Sequence, residues 1–171
     1  MKRLIILGAG GYGRTVADVA AQTGMFSVIR FLDDNSQAAD VLGKCGDFLQ
    51  HADEQTVFYP AFGNNEGRVK WLDLLEAAGC SIPVIVHPTA YVSPQATLAA
   101  GTTVLPKALI NTGCEVKRGC IVNCGAIVDH GCVLEEGVHV CLGAIVKAEN
   151  RIPRCKKVEA GQVIDNRTYP L

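Results

Sequence analysis

Few side chains in this sequence have useful reactivity. Four are histidines: His51, His87, His130 and His139. An imidazole exchanges a proton near neutral pH, so a histidine beside a bound acceptor can serve as a general base. Gly8-Ala9-Gly10-Gly11-Tyr12-Gly13 is a G-x-G-x-x-G turn whose bare N–H groups suit phosphate oxygens. Asp33-Asp34 follows about 20 residues later, where a contact to a ribose or base is expected. Gly63-Asn64-Asn65, with Arg68 close by, is a second polar cluster. None of the eight cysteines forms a C-x-x-C pair, and His130 and His139 have no third histidine near them in the sequence. No metal is expected.

The first polar groups need a sheet to present them. Arg3 to Leu7 is a buried strand by composition, and it runs into the glycine turn and a helix with Val16, Val19 and Ala20 on one face. A second strand, Ser27 to Leu32, ends at Asp33-Asp34. A third, Thr56 to Phe62, ends at Gly63-Asn64-Asn65. A helix with Val69, Leu72, Leu75 and Ala78 inward follows, stopped by Gly79. A short strand, Ile82 to Val86, leads to His87-Pro88. This is a βαβαβ half-unit of a Rossmann-like sheet, with every polar cluster at a strand's carboxyl end, where such sheets bind ligands. One half-unit suits a single nucleoside diphosphate better than a dinucleotide.

The histidines of the second half need a different frame. From Tyr91 to Asp165 an aliphatic residue recurs every sixth position: Val92, Leu98, Val104, Ile110, Val116, Val122, Val128, Leu134, Val140, Val146, Ile152, Val158 and Ile164. A small residue follows four places later, as at Ala96, Thr102, Ala108, Cys114, Cys120, Ala126 and Cys132. Glycine follows three places later in most units, from Gly101 to Gly161. A fixed period of six is the hexapeptide signature of a parallel β-helix; neither helical periodicity nor alternation explains it. Three hexads close one coil, the aliphatic and small residues stack inward, and glycine turns the corners. His130 then falls at a corner. His139 takes an outward strand position, His87 is structural, and His51 lies in a polar connection. Outward Ile121, Ile127, Val133 and Ile145 form an apolar stripe in need of cover. The expected architecture is an α/β Rossmann-like domain over residues 1–86 and an all-β parallel helix over 87–171.

The formal net charge of −1 argues against a nucleic-acid partner. No stretch reaches the ~18 apolar residues of a membrane span, and the short apolar start is no signal peptide. A cytoplasmic protein with free cysteines is expected. Cys114, Cys120 and Cys132 occupy the inward small site, where a thiol packs as a small hydrophobe.

Taken together, the glycine turn, Phe31-Leu32-Asp33-Asp34, Gly63-Asn64-Asn65 with Arg68, Val86-His87-Pro88, Val122-Asn123 and Val128-Asp129-His130 resemble a known family. It is the bacterial sugar acetyltransferases that join a small Rossmann-like domain to a left-handed β-helix. Its members include sialic acid O-acetyltransferases and UDP-4-amino-sugar N-acetyltransferases. The resemblance runs from Leu4 to about Ala148. It implies a homotrimer that moves acetyl from acetyl-CoA to an amino group of a UDP-linked sugar, or alternatively to a sugar hydroxyl. A sugar-nucleotide-binding protein without catalysis is the other alternative. It implies that Gly8, Gly10, Gly11, Tyr12 and Gly13 cradle the diphosphate. Asp33 and Asp34 would lie near the uridine, with Gly63, Asn64, Asn65 and Arg68 completing the pocket. It makes His130 the general base. Asn123 and His139 would lie by the thioester, and Gly143, Ala144, Lys147 and Ala148 along the coenzyme. Two features depart from it. Relatives often place Asp or Glu directly after the catalytic histidine, where this chain has Gly131, so Glu135 or Glu136 would have to substitute. Few coils follow His130, and they carry a basic cluster, Lys147, Arg151, Arg154, Lys156 and Lys157, suited to phosphate.

Overall fold

The computed structural model describes all 171 residues and divides into two compact units, Met1–Pro83 and Val84–Leu171. The first is a three-stranded parallel sheet in the order β2-β1-β3, with β1 Lys2–Leu7, β2 Phe26–Leu32 and β3 Thr56–Pro60. Leu4 to Leu7 are fully buried in the central strand, which is why that stretch is uniformly apolar rather than alternating. Helix α1 (Gly11–Thr23) packs with Val16, Val19 and Ala20 inward and ends at Gly24, whose φ of 67° caps it. Helix α2 (Asn65–Ala77) buries Val69, Leu72 and Leu75. Ala78, expected inward, is exposed because it is the C-cap, already out of helical course. A 3-10 turn, Cys45–His51, occupies the connection read from sequence as merely polar. It exists to bury Phe48, which meets Phe58 and Trp71 edge-on, with ring centroids 6.0 and 6.2 Å apart.

The second unit contains fourteen two-residue strands, β4 to β17: Ile85–Val86, Tyr91–Val92, Thr97–Leu98, Thr103–Val104, Leu109–Ile110, Glu115–Val116, Ile121–Val122, Ile127–Val128, Val133–Leu134, His139–Val140, Ile145–Val146, Arg151–Ile152, Lys157–Val158 and Val163–Ile164. They stack in three parallel sheets, each residue paired with the one a full coil away, as Ile121 is with Thr103 and His139. Only Ile85–Val86 of the expected Ile82–Val86 strand forms, and it pairs with Thr103–Val104, inside the coil. The inward aliphatic and small positions make one continuous core. Its cysteines donate S–H to carbonyls of the next coil: Cys114 to Asp129 at 3.1 Å and Cys120 to Glu135 at 3.1 Å.

The corners adopt positive φ from Gly101 to Arg167 at steps of six, and at four of them the residue is not glycine: Lys107, Glu149, Cys155 and Arg167. The coil therefore continues where the glycine pattern lapses. Its end is closed by Asn150, which is fully buried at an inward position. The Asn150 amide donates to Lys147 O at 2.8 Å and Asp165 O at 2.9 Å, and its oxygen accepts the Tyr169 N–H at 2.9 Å.

The outward apolar positions divide differently from the expected stripe. Ile121 and Val133 are buried and stand on two other sheets. Ile127 and Ile145 belong instead to a ladder on the β5-β8-β11-β14-β17 sheet, with Tyr91, Leu109 and Val163. Tyr91, Ile127 and Val163 are exposed there.

Candidate active site

In the first unit the glycine turn has two kinds of glycine. Gly8 has φ +101°, and a Cβ on Gly13 would stand 1.9 Å from the Gly8 carbonyl oxygen, so no side chain fits there. Gly10 and Gly11 meet nothing within 4 Å, so space inside the chain does not demand glycine there. They leave the N-terminus of α1 open to close approach by a ligand.

Asp33 holds this turn. Its Oδ2 accepts the Ala9 N–H at 2.7 Å, and its Oδ1 accepts the N–H groups of Asn35 and Ser36 at 2.8 Å each. The Ala9 bond first, then that of Asn35, holds the Asp33 carboxyl below its ordinary value. Asp34 accepts the Cys45 N–H at 3.0 Å and, with Asn35, Ser36 and Lys44, lines an open cleft of about 280 Å³. Arg14 and Asp40, not singled out by sequence, clip the far side of this loop: the guanidinium pairs with Asp40 and lies 4.1 Å from the Phe31 ring centroid. Tyr12 and Tyr59 meet hydroxyl to hydroxyl at 2.9 Å.

Much of the second cluster builds the strand-to-helix turn. Asn64 is the N-cap of α2 and accepts the Gly67 N–H at 2.7 Å. Arg68 is fully buried and donates to Phe62 O and Asn65 Oδ1, each at 2.9 Å. Gly63 is exposed at the head of that turn.

In the β-helix, His130 is exposed on the corner after β11. Its backbone is pinned on both sides: the N–H donates to Asp129 Oδ1 at 2.7 Å, and the C=O accepts the Glu149 N–H at 3.1 Å. Asn111, one coil before, donates to the same Asp129 oxygen at 3.1 Å. The His130 N–H first, then Asn111 and the imidazole's charge, hold the Asp129 carboxyl below its ordinary value against burial.

Asn123 lies at the corresponding exit from β10. Its oxygen accepts the Cys124 N–H at 2.8 Å, and its Nδ2 is 3.1 Å from His139 Nε2. An amide nitrogen can only donate, so His139 Nε2 accepts and the neutral ring carries its proton on Nδ1. His87 is buried, with Nδ1 accepting the Thr89 N–H at 3.0 Å, in keeping with a structural role. His51 is half-buried at the end of the 3-10 turn.

The coils beyond His130 are charged but internally paired. Arg118 and Arg154 both bond Glu136, and Arg151 bonds Glu135. Lys147 pairs with Asp165 at 2.6 Å and Lys157 with Glu159 at 3.0 Å, while Lys156 lies over the Tyr169 ring. Glu135 and Glu136 are thus occupied by arginines. Gly143 is an exposed corner, Ala148 is almost wholly covered, and the Ala144 side chain lies inside the core. No three His, Cys, Asp or Glu side chains converge as metal ligands, and no helix is long and apolar enough to cross a membrane.

Residues 3–75 match the PglD N-terminal domain family. The acetyltransferase domain of PglB from Neisseria gonorrhoeae is 35% identical, with TM-score 0.95 over 98% of this chain and 84% of that one. The chain belongs to the PglD-type sugar acetyltransferases. The same Neisseria domain in complex with acetyl coenzyme A gives 36% identity and TM-score 0.94 over 97% of this chain and 83% of that one. PerB from Caulobacter crescentus, in complex with CoA and GDP-perosamine, shares the fold at 21% identity and TM-score 0.72, covering 100% of this chain and 92% of that one. No curated protein matches. As an acetyltransferase of this family the chain combines a PglD N-terminal domain with a left-handed β-helix, the parallel β-helix expected from the hexads with the hand that the resemblance implied.

Attack of an amine on a thioester needs a base for the nucleophile's proton and donors for the developing oxyanion. The backbone of the His130 corner is fixed while its side chain is exposed.

Proposed function

We propose that this chain transfers acetyl from acetyl-CoA to an amino group of a UDP-linked amino sugar, with His130 as the general base. The observation that carries this reading is the His130 corner: an exposed imidazole on a backbone pinned by Asp129 and the next coil. The acetyl coenzyme A complex of the Neisseria domain, 36% identical, supports the donor. The open N-terminus of α1 and the cleft beside Asp34 support a nucleoside diphosphate handle on the acceptor. GDP-perosamine in the Caulobacter relative is a precedent for a nucleotide-linked amino sugar and makes GDP the comparison to run against UDP. Asn123 and His139, joined at 3.1 Å, are assigned to the thioester, and Gly143, Ala144, Lys147 and Ala148 to the coenzyme's path. Since the Ala144 side chain faces the core and Lys147 pairs with Asp165, these contacts fall to backbone and to a lysine that exchanges partners.

The functional unit in this reading is a cyclic homotrimer. The ladder Tyr91, Leu109, Ile127, Ile145 and Val163 runs along one whole sheet, with Tyr91 54% and Val163 47% exposed. A second copy would cover it.

The test is direct. Purified protein is incubated with acetyl-CoA and, separately, UDP-amino sugars, GDP-amino sugars and sialic acid, and products are read by mass spectrometry. Acetylation of a UDP-linked amine is expected. Acetylation of the free acid's hydroxyl alone would move the activity to O-acetyl transfer, and no acetyl transfer to any acceptor would defeat the proposal.

A further inference from the structure

A histidine that works as a base is usually held by a third group that orients the ring and stabilises its cation. Gly131, next to His130, has no side chain to do this, and Glu135 and Glu136 are taken by arginines. The coil supplies another carboxylate. Glu149 sits one full turn above Gly131, at the same corner, and a Cβ built on Gly131 would be 3.8 Å from Glu149 Cγ. The Glu149 side chain therefore covers the position from which a side chain at residue 131 would leave the backbone.

Three details set Glu149 apart. It holds φ +57° at a corner type where most residues are glycine. Its Oε2 takes both contacts from Arg167, at 2.6 Å to Nε and 2.5 Å to Nη2. Its Oε1 makes no hydrogen bond, and neither does the His130 ring, whose one charged neighbour by interaction is Asp129. An anchored carboxylate and an imidazole without a hydrogen bond thus stand at one corner, the carboxylate over the residue that follows the histidine.

We propose that Glu149 is the positioning residue for His130. Glu149 Oε1 accepts the N–H of one ring nitrogen, and the other nitrogen is turned to the acceptor amine. As the amine's C–N bond forms and the thioester's C–S bond breaks, the amine proton passes to that nitrogen. The carboxylate stabilises the resulting imidazolium until the proton goes to the departing thiolate. Arg167 keeps Glu149 over the corner. The proposal rests on His130 being the base. The other charges nearby are Asp129, whose Oδ1 holds the His130 N–H and Asn111, and Lys147, paired with Asp165.

The test uses the full chain and the pH dependence of kcat/KM. Glu149→Gln should lower kcat about tenfold, less than the 10²–10⁴ of a lost base, with the nucleotide-sugar KM unchanged. Because the carboxylate favours imidazolium, its loss should move the acid limb of the profile to lower pH. Glu149→Asp should restore part of the rate and of the limb. Arg167→Ala, which frees Glu149 from its anchor, should lower kcat by less than Glu149→Gln does. A Glu149→Gln enzyme with the wild-type limb and kcat overturns the proposal. So does Asp129→Asn if it, and not Glu149→Gln, moves the limb. Activity retained in His130→Ala would overturn the base assignment itself; a dead His130→Ala beside a normal Glu149→Gln defeats only the role of Glu149.

Discussion

Replacing Asp33 by asparagine asks whether the glycine turn is held from the end of the second strand. The carboxylate accepts three backbone N–H groups, from Ala9 at 2.7 Å and from Asn35 and Ser36 at 2.8 Å. Asparagine keeps one acceptor, enough for Asn35 and Ser36, and then sets an NH2 against the Ala9 N–H. A hydrogen bond to a charged group contributes roughly 1.5–3 kcal/mol, and the half-buried position favours the lower part of that range, about 2 kcal/mol. With a urea slope of about 1–3 kcal/mol/M, the unfolding midpoint should fall by about 1 M. If binding must then rebuild the turn, the same cost weakens nucleotide-sugar affinity about thirtyfold, at 1.4 kcal/mol per decade. Acetyl-CoA affinity, assigned to the β-helix, should not change. The pH dependence carries a second signature. The folded-state carboxyl lies below the ordinary 3.8, so its contribution is complete above that value and is lost as pH falls through the lower folded-state value. Asparagine removes that acid limb. Unfolding in urea followed by circular dichroism, with titration calorimetry for both ligands, checks all of this. An unchanged midpoint together with unchanged nucleotide affinity would refute the reasoning.

Two further outcomes are expected. Ile127→Arg, on the exposed ladder, should leave the β-helix folded by circular dichroism but give a monomeric mass by light scattering and little acetyl transfer; an unaltered assembly would remove the ladder as the contact surface. Asn150→Ala leaves the Tyr169 N–H and the carbonyls of Lys147 and Asp165 without their buried partner. It should cost about 3 kcal/mol from these unpaired groups, read by chemical unfolding, and expose the tail after Asp165 to proteolysis.

The β-helix was legible because its period is set by backbone geometry. One aliphatic residue every six positions determined which residues face in, and the buried column from Val104 to Ile164 follows it. The same arithmetic carried further would have found more. Eighteen residues make one coil, so Asn111 stands under Asp129 and Gly131 under Glu149. Those two pairs surround His130 and are far apart in sequence. The outward apolar residues were not separable by hexad alone, since Ile121, Ile127 and Val133 occupy the same hexad position on three different sheets. In the first unit, strand ends and the glycine turn placed the polar clusters correctly at the carboxyl edge. Their division of labour was not legible. Asp33, Asn64 and Arg68 look like ligand contacts by type, but in the structure they bond backbone groups and, for Arg68, Asn65. Arg14 went unnoticed because its partner Asp40 lies 26 residues away, in a loop with no periodic signal.

The most direct test of the account is His130→Ala, assayed for acetyl transfer alongside binding of both ligands. With the ring exposed and the corner fixed by backbone contacts, the substitution removes the proposed base without disturbing the coil. We expect kcat to fall by roughly 10²–10⁴, with melting temperature, nucleotide-sugar affinity and acetyl-CoA affinity near those of the wild type. A His130→Ala protein that acetylates its sugar at the wild-type rate would contradict the assignment of this corner as the catalytic centre.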